Sequence, residues 1–558
     1  MYNHRALGRP LPRSLLASAL LAVIAAPGYA QTPVAETTTG QQHESDQRFT
    51  FAIAAQPLLD ALGEFTAITG IAVLRTSDEP LTGSAPAVHG QLTAEQALQR
   101  LLASSGLTYS RTSPSAVTLL PVPSDGVLNL SDVNIDANRL QSAWGPVDGY
   151  VAKAGSTATK TDTPIIETPQ SISVVTRDQI TDTHAQSLRD VLGYTAGVIA
   201  TEADDRTTDT FVLRGFQIAN STYRDGMRYM SNIYDGTQEP YGMERVEVLR
   251  GAASVLFGQA APGGIINVVS KLPTTEERHE IKAEVGSNNR RQLATDHGGS
   301  LTEDGSLSYR LTALQRDSDT MVDHVPDDRT YIAPALTWRP DDATSVTLQA
   351  TYQKSRTTYV YGLPAEGTIN GTPFGHISRH LFTGVPGYDK ADVTFWNIGY
   401  LFEHAFSDTL KVRQNLRYFE SENDMPAVSL EAYDAATGTI SRTAQDRQDN
   451  SHNILADTQL EWRQHSGRFE HVLLGGLDYS NKYHRSERYL RTASPLNLYG
   501  PSTGSVSSTA TPNLYSSRTR VEQTGLYLQD QIKFDGKWVL LLGGREDRAR
   551  SVDEGLFV

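Results

Sequence analysis

The second half of the chain alternates polar and apolar residues with a period of two. Ser345–Tyr352 shows the pattern most cleanly, Ser306–Leu311 repeats it, and Leu410–Tyr418 carries three cations on one face and apolar groups on the other. Because successive side chains of a strand point to opposite faces, the alternation predicts strands with one polar and one apolar face. Such strands suit a barrel wall between lipid and a polar lumen.

The connections between these strands alternate between short and long. From Ile281 onward the pattern predicts about eleven strands, and short periplasmic turns with long outer loops are the rule for outer-membrane barrels. The predicted short joins are Thr302–Gly305, Pro340–Ala343, Phe406–Asp408, Gln464–Gly467 and Asp535–Gly536. The predicted long joins are 317–328, 356–392, 420–450 and 483–519. The strand aromatics that suit the interfacial girdles are Trp338, Trp396, Tyr400, Trp462 and Trp538.

Composition excludes several classes of protein. A mean hydropathy of -0.37 over 558 residues excludes a helical membrane bundle. The chain has 49 Lys+Arg against 64 Asp+Glu, and this acidic balance argues against a nucleic-acid partner, which requires clustered cations. It has no cysteine, so a disulfide framework, a thiol nucleophile and a thiolate metal site are all excluded.

The first 30 residues have the pattern of a secretory signal peptide. A basic region ending at Arg13 precedes an apolar run over 15–26, and the small residues Gly28 and Ala30 follow. The run is too short for a hydrocarbon core, which takes about 20 residues. We therefore predict a signal peptide at 1–30 and a mature chain in or beyond a bacterial periplasm.

Residues 49–120 form two similar β-α-β patterns with no acid–base pair, metal cluster or phosphate loop. The order Phe51-x-Ile53-x-x-Gln56-x-Leu58 and the second helix resemble the short periplasmic signalling domain at the N-terminus of some TonB-dependent receptors and secretins. An α+β interaction module is predicted here. A linker rich in proline, serine and glycine follows over 121–143.

The stretch 144–273 carries a series of motifs. In order they are Thr168-Pro169-Gln170-Ser171-Ile172-Ser173-Val174-Val175-Thr176, Leu213-Arg214-Gly215-Phe216, Tyr223-Arg224-Asp225-Gly226-Met227, Glu244-Arg245-Val246-Glu247-Val248-Leu249-Arg250-Gly251 and Pro262-Gly263-Gly264-Ile265-Ile266-Asn267. They resemble the plug domain of TonB-dependent ferric-siderophore receptors. The stretch from Ser142 to Val175 is especially similar to hydroxamate receptors such as the ferrichrome receptor.

This resemblance implies a fold, partners and a ligand. The short alternation Asp132, Val133, Asn134, Ile135 and Asp136 becomes a candidate TonB box, which would pair as a strand with TonB in its ExbB/ExbD energy complex. The other implied partners are an inner-membrane anti-sigma regulator, a ferric siderophore and outer-membrane lipid. No cofactor is implied, since the siderophore itself holds the iron, and the receptor is expected to be a monomer.

Plug charges are expected to pair with one another or with the inner barrel wall, since an unpaired charge there is expensive. The residues concerned are Arg214, Glu244, Arg245, Glu247 and Arg250. The candidates for siderophore contact, chosen by position in the plug and by resemblance of an aromatic pair in the barrel, are Arg206, Gln217, Asn220, Tyr229, Tyr234, Tyr359 and Tyr361. The histidines show no paired metal-ligand spacing.

We therefore predict an α+β periplasmic signalling domain (49–120) and an α/β plug (144–273), then a transmembrane antiparallel β-barrel (277–558) with about half of its strands. Plugged transporters of this kind close at about 22 strands. The last strand is expected from Lys537 to about Arg550, so we predict a truncated product or gene fragment of a longer receptor.

The predicted function is uptake of a ferric siderophore, of hydroxamate type, with signalling to the regulator. Two alternatives stay open. One is a TonB-dependent receptor for another cargo, such as cobalamin, a metal chelate or a glycan, and the other is a signalling fragment that does not transport. An enzyme is not expected, because no nucleophile elbow, H-E-x-x-H or P-loop occurs.

Overall fold

The computed structural model describes residues 48–75, 84–103, 105, 107–113, 116–121, 143–201, 205–218, 222–500 and 503–557. The chain divides into two compact units, 1–137 and 138–558. The signal peptide 1–30, the candidate TonB box 132–136 and the candidate contact Asn220 lie outside the described residues. In the described ranges, no helix is both long enough and apolar enough to cross a bilayer.

The N-terminal unit is a small α+β fold. Its elements are β1 (Arg48–Ile53), β2 (Gln56–Pro57), α1 (Leu58–Thr69), β3 (Ala72–Arg75), β4 (Ser84–Ala85), β5 (Val88–Thr93), α2 (Ala94–Leu102), β6 (Leu107–Ser113) and β7 (Ala116–Pro121). Strand β1 pairs with β5, β2 with β4, and β3, β7 and β6 form a third sheet. The alternating strand residues Phe51 and Ile53 are buried against Phe65 of α1 in one apolar core.

Local sequence determines the helix ends in this unit. Thr93, the N-cap that the sequence predicts, accepts a hydrogen bond at Oγ1 from the Gln96 backbone N–H (3.3 Å). The Gln96 side-chain oxygen in turn accepts one from the Thr93 N–H (3.2 Å), which completes a capping box. Gly70 ends α1 in the left-handed region at φ +71°, where a glycine is favoured. Both predicted helix signals are confirmed.

The plug region, defined as residues 144–273, holds short helices around a four-stranded sheet. Its strands are β8 (Ser171–Thr176), β9 (Val198–Ala200), β10 (Phe211–Leu213), β11 (Phe216–Gln217), β12 (Thr222–Arg224), β13 (Met243–Arg250) and β14 (Gly264–Ser270). Its α-helices are α3 (Arg177–Asp182), α4 (Leu188–Leu192) and α5 (Ser254–Phe257), and 3-10 turns cover Ile165–Glu167 and Pro240–Gly242. The main sheet has the order β12-β14-β13-β8, and β9, β10 and β11 form a smaller sheet.

One glycine shows how closely the plug backbones approach. Gly264 starts β14 at φ +129°, and a Cβ there would lie 2.0 Å from the carbonyl oxygen of Leu249 on β13. Any side chain would force β13 and β14 apart. The predicted structural use of this glycine is therefore confirmed.

The large sheet is antiparallel and contains thirteen strands. They are β15 (Arg278–Val285), β16 (Arg291–Ser300), β17 (Leu307–Asp317), β18 (Asp328–Asp341), β19 (Thr344–Thr357), β20 (Ala391–Ser407), β21 (Leu410–Asp424), β22 (Ala427–Asp434), β23 (Thr439–Ser466), β24 (Phe469–Ala493), β25 (Leu496–Asn497), β26 (Val506–Phe534) and β27 (Trp538–Phe557). Eleven strands follow one another in a continuous path from β15 to β27, as predicted. The short strands β22 and β25 pair with β23 beside that path.

Because polar and apolar residues alternate with a period of two, the two faces of this sheet differ in polarity. On β19, Thr347 is 6% exposed and faces the plug, whereas the adjacent Leu348 is 53% exposed on the outer face. The indoles of Trp338, Trp396, Trp462 and Trp538 are likewise exposed. The sheet therefore turns apolar groups outward and polar groups toward the plug, as a membrane barrel requires.

Three predicted boundaries are wrong. The joins expected over 420–450 and 483–519 are largely strand, because β23 already begins at Thr439 and β24 continues to Ala493. The last strand, expected to end near Arg550, continues to Phe557. In these extensions polar residues stand on both faces and apolar ones are few, so the alternation is lost from the sequence while the backbone ladder continues.

Candidate functional site

The loop between β12 and β13 lies at one end of the large sheet. At that end β23 and β24 continue beyond the part of each strand whose outer face is apolar. Here the guanidinium of Arg447 on β23 lies 4.0 Å from the ring centre of Tyr234. Asp449, two residues further on the same face, accepts a hydrogen bond from Arg447 (2.7 Å). A cation held over an aromatic face by a carboxylate is a well-ordered recognition element.

The neighbouring strand adds a histidine and a second arginine to this cluster. Register pairs Arg447 with Arg488 and Ser451 with His484, so both β24 side chains face the plug. His484 lies within hydrogen-bond distance of Asn232 on the plug loop (3.0 Å) and of Ser451 (3.1 Å). We call Tyr234, Arg447, Asp449, His484 and Arg488 the vestibule cluster.

Asp235 shapes the plug loop beneath this cluster. Its carboxylate accepts hydrogen bonds from the backbone N–H groups of Ser231 (2.7 Å) and Asn232 (2.9 Å) and from the Ser451 hydroxyl (2.6 Å). Burial raises the pKa of Asp235 to about 6. Hydrogen bonds of Asp235 therefore hold the loop that carries Tyr234 in its conformation and also attach it to the wall.

The predicted tyrosine pair lies just after β19, on the long connection to β20. The rings of Tyr359 and Tyr361 meet edge to face at 72° with centres 4.5 Å apart, and the Tyr361 hydroxyl is 2.9 Å from that of Ser429. Burial raises the pKa of Tyr361, and Tyr234 is close enough to add to the shift. Ser429 lies on β22, which pairs with β23, the strand whose Arg447 contacts Tyr234, so the pair and Tyr234 lie around the same strand.

The other predicted contacts lie elsewhere. Tyr229 is buried against Phe419, with ring centres 4.9 Å apart, and packs the plug on the wall. Arg206 faces Asp327, with Nη1 and Oδ2 4.0 Å apart, and lines a small cavity away from the tyrosines. Gln217 is exposed on β11.

Three of the five predicted structural charges pair as expected. Arg245 and Glu247 form a fully buried ion pair (2.9 Å) inside the plug, and Glu244 crosses to Arg310 of the wall (3.2 Å). Within the described residues the other two form no ion pair, contrary to the expectation. Arg250 donates to the Ala196 carbonyl and the Ser173 hydroxyl, and Arg214 is exposed to solvent at φ +51°.

Ion pairs connect the plug to the wall along its length. Three are buried, namely Lys160–Asp457 (2.8 Å), Asp225–Arg417 (2.8 Å) and Lys271–Asp296 (2.7 Å), and a fourth, Asp162–Arg413 (2.9 Å), is partly exposed. Each joins a plug residue to a plug-facing residue of a strand. The plug is therefore anchored by charge, whereas the wall faces lipid with apolar groups.

Sequence reasoning missed Arg447, Asp449, His484 and Arg488. The first two fall in the segment assigned to a loop over 420–450. No alternation marks this segment, because the residues between Arg447 and Asn453 are polar on both faces. In the part of the chain that the structure describes, no three His, Asp or Glu side chains are grouped to hold a metal ion.

Three family models match this chain. The TonB-dependent Receptor Plug Domain matches residues 164–265, the TonB dependent receptor-like, beta-barrel matches 337–555, and the Secretin and TonB N terminus short domain matches 78–122.

Curated relatives and solved structures agree with these models. The ferrichrome outer membrane transporter/phage receptor of Escherichia coli (strain K12) is 36% identical over 442 residues, which cover 73% of this chain and 59% of the relative. The ferrioxamine receptor of Yersinia enterocolitica is 35% identical over 434 residues, covering 75% and 60%. This chain thus spans 59% and 60% of the length of these two relatives.

Among solved structures, P. aeruginosa FpvA bound to a heterologous pyoverdine with iron has a TM-score of 0.65 at 24% identity, covering 92% of this chain and 67% of that one. The open form of the ferric-catecholate import receptor Fiu from E. coli K12 has a TM-score of 0.64 at 22% identity, covering 72% and 63%. At these identities the likeness concerns the fold alone.

Proposed function

Because the chain belongs to the TonB-dependent receptors of the outer membrane, a family of transporters and not of enzymes, we propose that it takes up a ferric siderophore. The proposed siderophore class is the hydroxamates. The names of the ferrichrome and ferrioxamine relatives support this choice. The siderophore would saturate the iron, so the protein needs to recognise the organic shell and not the metal.

The vestibule cluster is the observation that carries this proposal. A ferric siderophore is bulky, with polar edges and apolar patches, and pockets for such ligands combine aromatic faces with a few placed polar groups. Tyr234 and Arg447 supply an aromatic face and a cation 4.0 Å apart, and Tyr359 and Tyr361 add two rings nearby. The remaining candidates Arg206, Gln217, Asn220 and Tyr229 stay predictions from sequence position.

Direct binding tests the cargo. We expect quenching of the intrinsic tryptophan fluorescence of the purified chain by ferrioxamine B or ferrichrome, and none by cobalamin at the same concentration. Cobalamin binding without siderophore binding would refute the proposed cargo and favour the alternative TonB-dependent receptor.

We propose that residues 132–136 are the TonB box and that TonB, energised by ExbB/ExbD, pulls on them by strand pairing. The predicted effect of Ile135→Pro is loss of siderophore uptake with unchanged siderophore binding, because proline removes a strand donor. Uptake of the radiolabelled ferric complex by cells measures this effect. Undiminished uptake in the proline variant would reject the box.

We propose that residues 49–120 signal to an inner-membrane anti-sigma regulator. The match to the Secretin and TonB N terminus short domain supports an interaction role. Deleting residues 31–120 is expected to abolish siderophore-dependent transcription while uptake continues. A reporter gene and an uptake assay on the same cells measure the two effects, and equal loss of both would argue against separate roles.

The proposed domain division follows from these roles. It consists of the signal peptide 1–30, the signalling domain 49–120, the linker with the box 121–143, the plug 144–273 and the N-terminal part of the barrel 277–558. The monomeric state stays a prediction.

A further inference from the structure

Two histidines meet on the first two strands of the wall, although the sequence gives no metal-ligand spacing. His279 on β15 stands directly opposite His297 on β16, 18 residues further along the chain. Both lie on the face of this hairpin that turns away from the plug, because the adjacent Asp296 points inward to Lys271 of the plug. His279 is exposed and His297 is partly exposed. A pair of imidazoles is therefore accessible on the outer face of the wall.

The two rings face each other through the same atom. Nδ1 of His279 lies 3.2 Å from Nδ1 of His297, and the ring centres are 5.5 Å apart. Without a cation, one neutral ring donates its Nδ1–H to the lone pair of the other. The Nε2 atom of each ring takes no part in this contact, so either ring is able to carry its proton there instead.

The separation of the two nitrogens suits a single metal ion. Imidazole nitrogens that each lie about 2.0–2.1 Å from one metal are about 2.9–3.4 Å apart at octahedral or tetrahedral angles. The observed 3.2 Å lies within this range. On binding, the proton of the donating ring moves to Nε2, and the rings rotate so that both Nδ1 lone pairs point at the cation. Rotation is cheap, because the second side-chain torsion of histidine has a broad minimum.

The ligand atoms select the class of cation. Neutral imidazole suits Cu²⁺, Ni²⁺ and Zn²⁺, whereas Ca²⁺ and Mg²⁺ prefer oxygen ligands. Within the described ranges no third imidazole or carboxylate completes a group around this pair, so water fills the remaining coordination positions. The arrangement is therefore an open, exchangeable site and not a closed structural centre.

Carboxylates surround this end of the hairpin. Two precede β15, at 276–277, and two more lie on the β16–β17 turn, at 303–304. The two segments are in contact, since a Cβ on Gly305 would lie 3.4 Å from Thr275. Arg278 is adjacent to the first two carboxylates, but by strand alternation it stands on the face opposite the histidines. The negative charge raises the local concentration of cations beside the pair.

We propose that His279 and His297 form a two-histidine site for a divalent transition-metal cation on the outer face of the β15–β16 hairpin. Within the described sheet β15 pairs only with β16. A cation held by one side chain from each strand links the two, and so stabilises the first hairpin of the wall. The site is separate from the vestibule cluster and independent of the proposed siderophore.

Copper binding tests the site, because Cu²⁺ stands highest of these cations in affinity for nitrogen ligands. The full chain is purified in detergent without a histidine tag, washed with EDTA and titrated with CuCl₂. The tightest site of wild type should bind Cu²⁺ at least roughly tenfold more tightly than that of His279→Ala or His297→Ala, because the second ring of a chelating pair acts at a high effective concentration. The electron paramagnetic resonance spectrum of the wild-type complex should show splitting by two nitrogens, and neither variant should show it.

His465→Ala is the matched control for these two variants. His465 is also exposed at the short-turn end of the sheet, but the residue opposite is Glu470 and not a second imidazole. This variant should bind Cu²⁺ as tightly as wild type. Copper should also raise the unfolding temperature of wild type and of His465→Ala, but not that of His279→Ala.

Two results would overturn the two-histidine site. One is equal Cu²⁺ affinity of wild type and His279→Ala, and the other is loss of the tight site in only one of the two pair variants. All three substituted side chains reach solvent, so the copper-free unfolding temperatures should match that of wild type. A difference in copper affinity then reports the metal site and not the fold.

Discussion

An Asp225→Ala variant is expected to lose about 3–5 kcal/mol of stability, because it leaves the guanidinium of Arg417 buried without a counter-charge. Asp225 and Arg417 are both almost fully buried, with 2.8 Å between carboxylate and guanidinium. The same carboxylate accepts hydrogen bonds from the backbone N–H and the hydroxyl of Ser270, both at 2.8 Å. One side chain, directly after β12, therefore joins β14 to the wall strand β21.

Thermal unfolding in detergent measures this loss, with Asp424→Ala as the control. Asp424 forms an ion pair with Lys390 at 2.6 Å, but both side chains are more than two-fifths exposed, so its removal should change stability by only about 0–1 kcal/mol. Similar melting temperatures for the two variants would contradict the anchoring role of Asp225.

The same carboxylate predicts a pH effect of known sign. Burial opposes ionisation of Asp225, but Arg417, Arg224 and the Ser270 N–H outweigh it and hold its pKa below the usual range. A lowered pKa in the folded state contributes stability above the unfolded pKa of about 3.9, and that stability is lost as the pH falls further. Acidification should therefore narrow the difference between wild type and Asp225→Ala.

Arg447→Ala is expected to weaken binding of the ferric siderophore roughly 30-fold, which corresponds to about 2 kcal/mol for an arginine at the centre of a recognition surface. Without the guanidinium, Tyr234 loses the cation 4.0 Å above its ring, and Asp449 loses a 2.7 Å hydrogen bond. The Arg447→Ala variant therefore loses the cation itself and also the contact that orients the Tyr234 ring. Titration of fluorescence quenching gives the dissociation constants of wild type and of Arg447→Ala for the ferric siderophore.

Arg468→Ala is a matched control for this experiment. Its guanidinium also lies over an aromatic ring, that of Phe534 at 4.5 Å, but at the opposite, short-turn end of the sheet. The Arg468→Ala variant should bind the ferric siderophore with the same affinity as wild type. If Arg447→Ala binds the siderophore as tightly as Arg468→Ala, the vestibule cluster is not the binding site.

The parts of the fold that were predicted correctly depend on local signals. Thr93 and Gly70 mark helix ends through hydrogen bonds within a few residues. The pattern in Ser345–Tyr352 predicts β19 because one face of that strand is polar and the other is apolar. These signals survive in any tertiary context, since they depend only on neighbours in the chain.

The vestibule cluster was missed for the opposite reason. Around Arg447 both faces of β23 are polar, so no alternation distinguishes strand from loop, and the ladder continues only because β24 lies opposite. The position of Tyr229 was equally invisible, since its burial depends on Phe419, 190 residues further along the chain. Sequence position alone cannot distinguish a ligand contact from a packing residue.

By itself, the sequence determined the small α+β module, the plug motifs and a sheet with one polar and one apolar face. Only the tertiary structure decided which charges meet, such as Asp225 with Arg417 and Lys160 with Asp457. The physical reason is register. A slip of one residue reverses every side chain of a strand, and register is set by pairing between distant segments and not by any one of them.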